Sequence, residues 1–234
     1  MSPIHIYHLD TSLFPQLHSE YFSCLKPADW KRVRALKQES DQIHRQLAYA
    51  CTYWLLQHHA AVSSHMLHIN YDALGKPFTQ SLPQWHINWS HSGQQLCIAL
   101  AHTPVGIDIE HHQAIDPKSL LSHYFPNDPS PEGCLSAFYD LWVCKEALLK
   151  AQGMGLRVEP CNIVLHTPSP TFSRVAASPA ALGLEHYTYA LVPCPAQYSC
   201  AVATRGQVSG MLLHTLDLAA LQQLKPAQHA FKIK

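Results

Sequence analysis

The segment from Val105 to Glu110 reads VGIDIE, and its strict alternation describes a strand with two unlike faces. Val105, Ile107 and Ile109 fall on one side and Gly106, Asp108 and Glu110 on the other, because successive side chains of a strand point to opposite faces. The apolar side packs. The other side sets two acids two residues apart, although both are poor strand formers and their charges repel. A hard cation between them removes the repulsion. A solvated face on an edge strand is the plainer explanation, and the strand alone does not separate the two.

A second segment, LWVCKEALLK from Leu141 to Lys150, has helical periodicity within a pattern running from Phe138 to Gln152. Leu141, Leu148 and Leu149 are apolar, while Trp142, Glu146 and Lys150 follow one another at i, i+4 and i+8 along one stripe. An exposed Glu146–Lys150 pair is worth about 0.2–0.5 kcal/mol and accounts for their spacing. It does not account for Trp142. The helix stops in GMGL, Gly153 to Leu156, and glycine is the usual C-terminal signal. Strand and helix together place three carboxylates and a lysine within reach of one metal site. The three acids offer only oxygen, which suits magnesium held by a few carboxylates, water and substrate phosphates.

With LGKPF at Leu74 to Phe78 and INWSHSG at Ile87 to Gly93, these segments form four motifs in one order between Leu74 and Leu156. In them the chain resembles the surfactin-synthetase type of 4′-phosphopantetheinyl transferase, with a weaker match in the basic stretch from Lys31 to Arg45. Nothing from Val158 onward is diagnostic. The resemblance implies an α+β fold of two similar α/β subdomains related by a pseudo-twofold, with the cofactor site between them. Residues 1–103 and 104–215 would be the two subdomains, the second carrying the metal site, and 216–234 a C-terminal helix and tail.

The reaction implied moves the phosphopantetheine arm of coenzyme A onto a serine of an apo peptidyl, polyketide or fatty-acid carrier protein and releases 3′,5′-ADP. Phosphoryl transfer depends mainly on positioning and charge stabilisation, so no nucleophile of the protein's own is expected. Carried over residue by residue, Asp108, Glu110 and Glu146 would hold Mg2+. Asp108, Glu146 and Lys150 would be catalytic, with Lys150 offsetting pyrophosphate charge and Glu146 a metal ligand, a general base or both. Coenzyme A would be bound by Arg32, Arg45, Lys76, Ser90, His91 and Lys150. The chain departs from the family pattern in carrying Asp29 and Trp30 where further bases are expected, leaving Lys31, Arg32 and Arg34; a solvated helix face also explains these bases. For contact with the carrier, Tyr124, Phe125, Phe138 and Tyr139 flank the metal site, with core packing as the alternative. A magnesium-dependent nucleotide phosphodiester hydrolase would use the same acids and lysine, and a non-catalytic binding module of this fold is a third reading. The presence of all three acids and Lys150 speaks against lost catalysis.

Composition is compatible with this. The 234 residues suffice for one large or two small cores. A formal net charge of zero argues against nonspecific nucleic-acid binding through a basic surface. Eighteen histidines are scattered, and His58-His59 and His111-His112 lack partners at zinc-like spacing. Eight cysteines without a CxxC read as buried small hydrophobes in a reducing compartment. The N-terminal stretch lacks the basic region of a signal peptide, and no run of eighteen apolar residues occurs; a cytoplasmic monomer is expected.

The remaining elements follow from periodicity. Strands are expected at 4–9, 67–71, 85–89, 96–101, 161–166, 186–192 and 198–204. One long or broken helix is expected at 29–59, with others near 117–124 and 216–224. Pro-rich surface loops are expected at 126–131 and 168–179, and a hinge at His102-Thr103-Pro104.

Overall fold

The computed structural model of the protein describes residues 1–14, 19–116, 120–121, 124–128, 134–154 and 157–224. Its strands in chain order are β1 (Ile4–Asp10), β2 (Ile69–Tyr71), β3 (Pro77–Thr79), β4 (His86–Ser92), β5 (Gln95–Ala101), β6 (Val105–His111), β7 (Ser173–Arg174), β8 (Tyr187–Leu191), β9 (Tyr198–Arg205) and β10 (Met211–Thr215). Its helices are α1 (Pro27–Arg34), α2 (Glu39–Ala60), α3 (Leu135–Gln152) and α4 (Leu218–Leu224). The fold is mixed α and β, as expected.

The first sheet has the order β10-β1-β5-β4-β3-β2 and the second β6-β9-β8-β7. Within both, a first strand is followed by a helix, and three antiparallel strands then stack outward in reverse chain order: β5, β4 and β3 beside β1, and β9, β8 and β7 beside β6. The two sheets share this strand order.

Alternation along each strand sorts the apolar residues into three layers. Tyr7, Leu9, Leu96, Ile98 and Leu100 pack with Leu47, Cys51 and Leu55 of α2. Ile4, Ile6, Cys97, Ala99 and Ala101 of the first sheet meet Val105, Ile107, Ile109, Cys200 and Val202 of the second. Ala201, Ala203 and Tyr189 pack with Ala147, Leu148 and Ala151 of α3. The order is therefore helix, sheet, sheet, helix.

The stretch 29–59, expected as one long or broken helix, is broken, with α1 ending at Arg34 and α2 beginning at Glu39. Other expectations change. Asp29, a departure from the family pattern, is buried; its carboxylate accepts from the Lys26 N–H at 2.8 Å and from the Tyr53 hydroxyl at 2.8 Å. It serves as an N-terminal cap where a base would leave those donors unpaired. No strand forms at 161–166: Pro160 opens a 3-10 turn over Pro160–Asn162, and Val164 makes only an isolated bridge to Ala177. β10 escapes a periodicity reading because Leu212 and Leu213 are both exposed. It pairs in parallel with β1, so the chain returns to the first sheet within the span 104–215 assigned to the second half. The helix expected near 117–124, the loop at 126–131, Gly155, Leu156 and the tail after 224 lie wholly or partly outside the described residues.

α3 lies directly on β6 at Gly106. A Cβ on Gly106 would stand 2.2 Å from the Ala147 carbonyl oxygen and 2.3 Å from the Ala151 nitrogen. These are helix backbone atoms and cannot turn aside, so only glycine lets α3 lie on the strand that carries the acids. Gly106→Ala is expected to destabilise the protein by about 3 kcal/mol or more, measured by urea unfolding, as severe overpacking does. A loss of less than about 1 kcal/mol would show that α3 can lift off β6 without cost.

Candidate active site

β6 is an edge strand of the second sheet, and its outward backbone groups are met by side chains of β4. Asn88, Ser90 and Ser92 alternate onto one face of β4. Asn88 Oδ1 accepts from the Ile107 N–H at 2.9 Å and Ser92 Oγ from the His111 N–H at 3.0 Å. Ser92 Oγ donates to Glu110 at 2.9 Å, and Ser90 Oγ donates to Asp108 Oδ1 at 2.8 Å. The polar face of INWSHSG thus joins the two sheets and orients both acids of VGIDIE. A solvated acidic face is excluded for Asp108, which is 2 % exposed.

Across the strand, α3 supplies the third acid and the lysine. Glu146 is buried, and Lys150, one turn on, brings Nζ to 2.5 Å from Asp108 Oδ1 and 3.0 Å from Ser90 Oγ. The adjacent Lys145 turns the other way, into the core, where Nζ pairs with Asp128 at 2.5 Å over the ring of Phe125. α3 ends as its sequence implies: Gly153 takes a left-handed φ of 93° and donates its N–H to the Leu149 carbonyl.

These side chains line a cleft of about 410 Å3 together with Arg45, Trp89, Ser90, His91 and Trp142. Trp142, which no ion-pair argument explained, is a wall of that cleft. A second cavity of about 190 Å3 shares Arg45, Trp89 and Lys150 and adds Tyr71, Lys76 and Gly153. Residues of α2 and β4, which precede His102, and of β6 and α3, which follow it, therefore converge on the cleft.

The carboxylates bear the cost of this crowding. Asp108 Oδ2 and Glu146 Oε1 are buried without a hydrogen-bond partner. Burial, and then the nearby Asp108, raise Glu146 to about 7 and raise Glu110 as well. Burial alone would lower Lys150, but Asp108, Glu146 and Glu110 together hold it above its ordinary value. Two open oxygens and acids reluctant to ionise are what a hard cation would relieve, so Asp108, Glu110 and Glu146 fit magnesium by donor chemistry. Their ligand atoms are not drawn tightly together. Among the described residues, the trio with one ligand atom each, all within 4.8 Å of one another, is instead Asp41, His44 and His91.

Of the residues expected to bind coenzyme A, Arg45, Ser90, His91 and Lys150 line the cleft. Lys76 lines the second cavity, but its ammonium is engaged: it donates to the Lys150 carbonyl at 2.7 Å and to the Ala151 carbonyl, capping the C-terminus of α3 from the other half of the molecule. Burial brings its pKa down to about 8, against the opposing charge of Asp72. Arg32 is exposed on α1, stacked 3.9 Å over the ring of Tyr71, and lines neither cavity. Phe125, Phe138 and Tyr139 are core residues and not an exposed patch: Phe125 packs against Phe138 with ring centroids 5.4 Å apart and against Trp142 at 6.4 Å. Tyr124 is half-buried, edge-on to Trp142. Asn88, Ser92 and the trio partners Asp41 and His44 are found only by folding, since their roles arise from pairing β4 with β6 and with α2.

Residues 104–203, which contain β6, α3, β7, β8 and most of β9, match the family model of the 4′-phosphopantetheinyl transferase superfamily. A 4′-phosphopantetheinyl transferase of Bacillus subtilis is 35 % identical over 88 residues, covering 35 % of this chain and 39 % of that protein. The 4′-phosphopantetheinyl transferase psf-1 of Bacillus pumilus is 36 % identical over 89 residues, 35 % of this chain and 38 % of its own. The 4′-phosphopantetheinyl transferase Sfp of Bacillus subtilis strain 168 is 25 % identical over 157 residues, 64 % of this chain and 69 % of its own. Over these segments the chain is similar to the 4′-phosphopantetheinyl transferases, Sfp among them. It spans less than half the length of the first two of these relatives. The matched segment carries all three acids and Lys150, while Arg45, Lys76, Ser90 and His91 precede it.

The raised Glu146 pKa has a thermodynamic consequence. In the metal-free protein the folded chain keeps a proton on Glu146 that the unfolded chain releases above its ordinary 4.5. Unfolding sheds that proton between pH 4.5 and about 7, so stability falls as pH rises through this window. The fall is expected to reach about 3 kcal/mol at most. Glu146→Gln should flatten it; an unchanged pH profile of urea unfolding in that variant would place the titration elsewhere.

Proposed function

We propose that the protein transfers the 4′-phosphopantetheine arm of coenzyme A to a serine of an apo carrier protein, with magnesium, in a reducing cytoplasmic setting that suits its eight free cysteines, and as a monomer. The observation that carries this reading is the cleft in which three acids with two unpartnered buried oxygens face Arg45, His91 and Lys150.

Magnesium would be held by Asp108, Glu110 and Glu146, and it supplies positive charge for the pyrophosphate of the bound substrate. The remaining chemistry belongs to the chain. Arg45, half-buried beside Trp89 and Tyr49, presents a fork suited to the 3′-phosphate, and His91 adds a donor on the same wall. Lys150 is held by Asp108 and Ser90 at the floor of the cleft, where it can offset charge on the departing 3′,5′-ADP. Glu146 can also take the proton of the carrier serine. The serine oxygen bonds to the phosphorus bearing the pantetheine arm, the bridging P–O bond breaks, and 3′,5′-ADP leaves. Lys76 ties the end of α3 to the first half and so fixes where Lys150 stands; its part in binding the nucleotide is indirect.

Incubation with coenzyme A, magnesium and an apo carrier, followed by intact-mass measurement of the carrier, tests this. The wild-type protein should add the arm, and Asp108→Ala should lose activity by at least about a hundredfold while remaining folded. Cleaved coenzyme A beside an unmodified carrier would mean hydrolysis. No change in either, across a panel of peptide, polyketide and fatty-acid carriers, would mean a binding module.

A further inference from the structure

Folding gathers two of the scattered histidines with an acid at the rim of the cleft. Asp41 and His44 lie one turn apart on α2, and His91 projects from β4 on the face opposite Ser90. One ligand atom from each lies within 4.8 Å of the other two. His91 Nε2 is 3.6 Å from Asp41 Oδ1, and the imidazoles of His44 and His91 stack with centroids 4.6 Å apart.

His44 is the fixed member, only 6 % exposed. Its tautomer follows from its neighbour. The Thr11 hydroxyl gives its proton to the Gln94 carbonyl at 2.9 Å, so toward His44 Nε2, at 3.2 Å, the same oxygen accepts. Nε2 then carries the ring proton and Nδ1 the lone pair. That Nδ1 is buried and completes no well-aligned hydrogen bond, with the Ser40 carbonyl beside it. The Ser40 carbonyl and Asp41 favour a charged ring, but burial outweighs them and keeps His44 below its ordinary pKa; burial and His44 do the same for His91. Two neutral imidazoles, one held through its N–H by a hydroxyl, are in the form that metals require.

We propose that Asp41, His44 and His91 form a binding site for a borderline transition-metal cation such as zinc(II) or cobalt(II), distinct from the all-oxygen set of Asp108, Glu110 and Glu146. Two imidazoles and a carboxylate select such a cation over magnesium and leave a coordination position for water or a ligand. Asp41 and His91 are partly exposed and can turn toward a cation fixed by His44. A bound cation ties His91 to α2 and so withdraws a donor from the cleft. The site does not rest on the transferase reading, because metal binding alone reports it.

Cobalt(II) titrated into the full metal-free chain, without coenzyme A or carrier, tests the proposal through its visible d–d absorption. One cobalt per chain should bind, zinc(II) should displace it, and excess magnesium should not. His44→Gln and Asp41→Asn should each weaken binding at least tenfold. Asp41→Asn alters a partly exposed group, so it keeps the test decisive if circular dichroism shows the His44 variant misfolded. Three results would overturn the proposal: no binding tighter than millimolar, cobalt affinity unchanged in both variants, or sulfur-to-cobalt charge-transfer bands that place the metal on cysteine.

Discussion

The contact on which the structure turns is that of Lys150 Nζ and Ser90 Oγ with a single oxygen of Asp108. It joins α3, β4 and β6, three elements from both halves, at one buried point. Charges so placed cost desolvation, and the attraction of the pair repays it only when geometry and further hydrogen bonds are good. Here the serine supplies the further bond, and Gly106 supplies the geometry by letting α3 lie directly on the strand.

Much of the surrounding construction serves that point. Asn88 and Ser92 satisfy the edge of β6 on either side of Ser90, so the acids cannot slip in register without stranding backbone N–H groups. Lys76 holds the carbonyls at the end of α3 from across the interface. The arrangement leaves Asp108 Oδ2 and Glu146 Oε1 buried and unsatisfied. A fold that keeps unsatisfied acids in a cleft stores a local instability, and such a store is expected where a cation and an anionic substrate are to be bound.

The sequence displayed the chemistry of this site better than its surroundings. VGIDIE was legible because a two-residue period separates a packing face from a polar one without reference to any partner. The stripe Trp142, Glu146, Lys150 was legible for the same reason in a helix. Lys145 was not singled out: it sits beside Glu146, and only the presence of Asp128 in the core makes its burial tolerable. Lys76 resembled a ligand because its motif says nothing about the helix end it meets. Phe125 and Phe138 pack in the core beside Trp142, a fact set by the path of residues well apart in the chain. β10 and the Asp41, His44, His91 trio depend on pairings across long sequence separations, which no local period encodes.

Asp108, Glu110 and Glu146 are proposed to form one cation site completed by the phosphates of coenzyme A. Manganese(II) binding followed by electron paramagnetic resonance, with and without coenzyme A, addresses it most directly. The account predicts one manganese per chain, bound at least tenfold more tightly when coenzyme A is present, with that gain lost in Asp108→Asn and in Glu146→Gln. Manganese binding indifferent to coenzyme A and unchanged in both variants would contradict it.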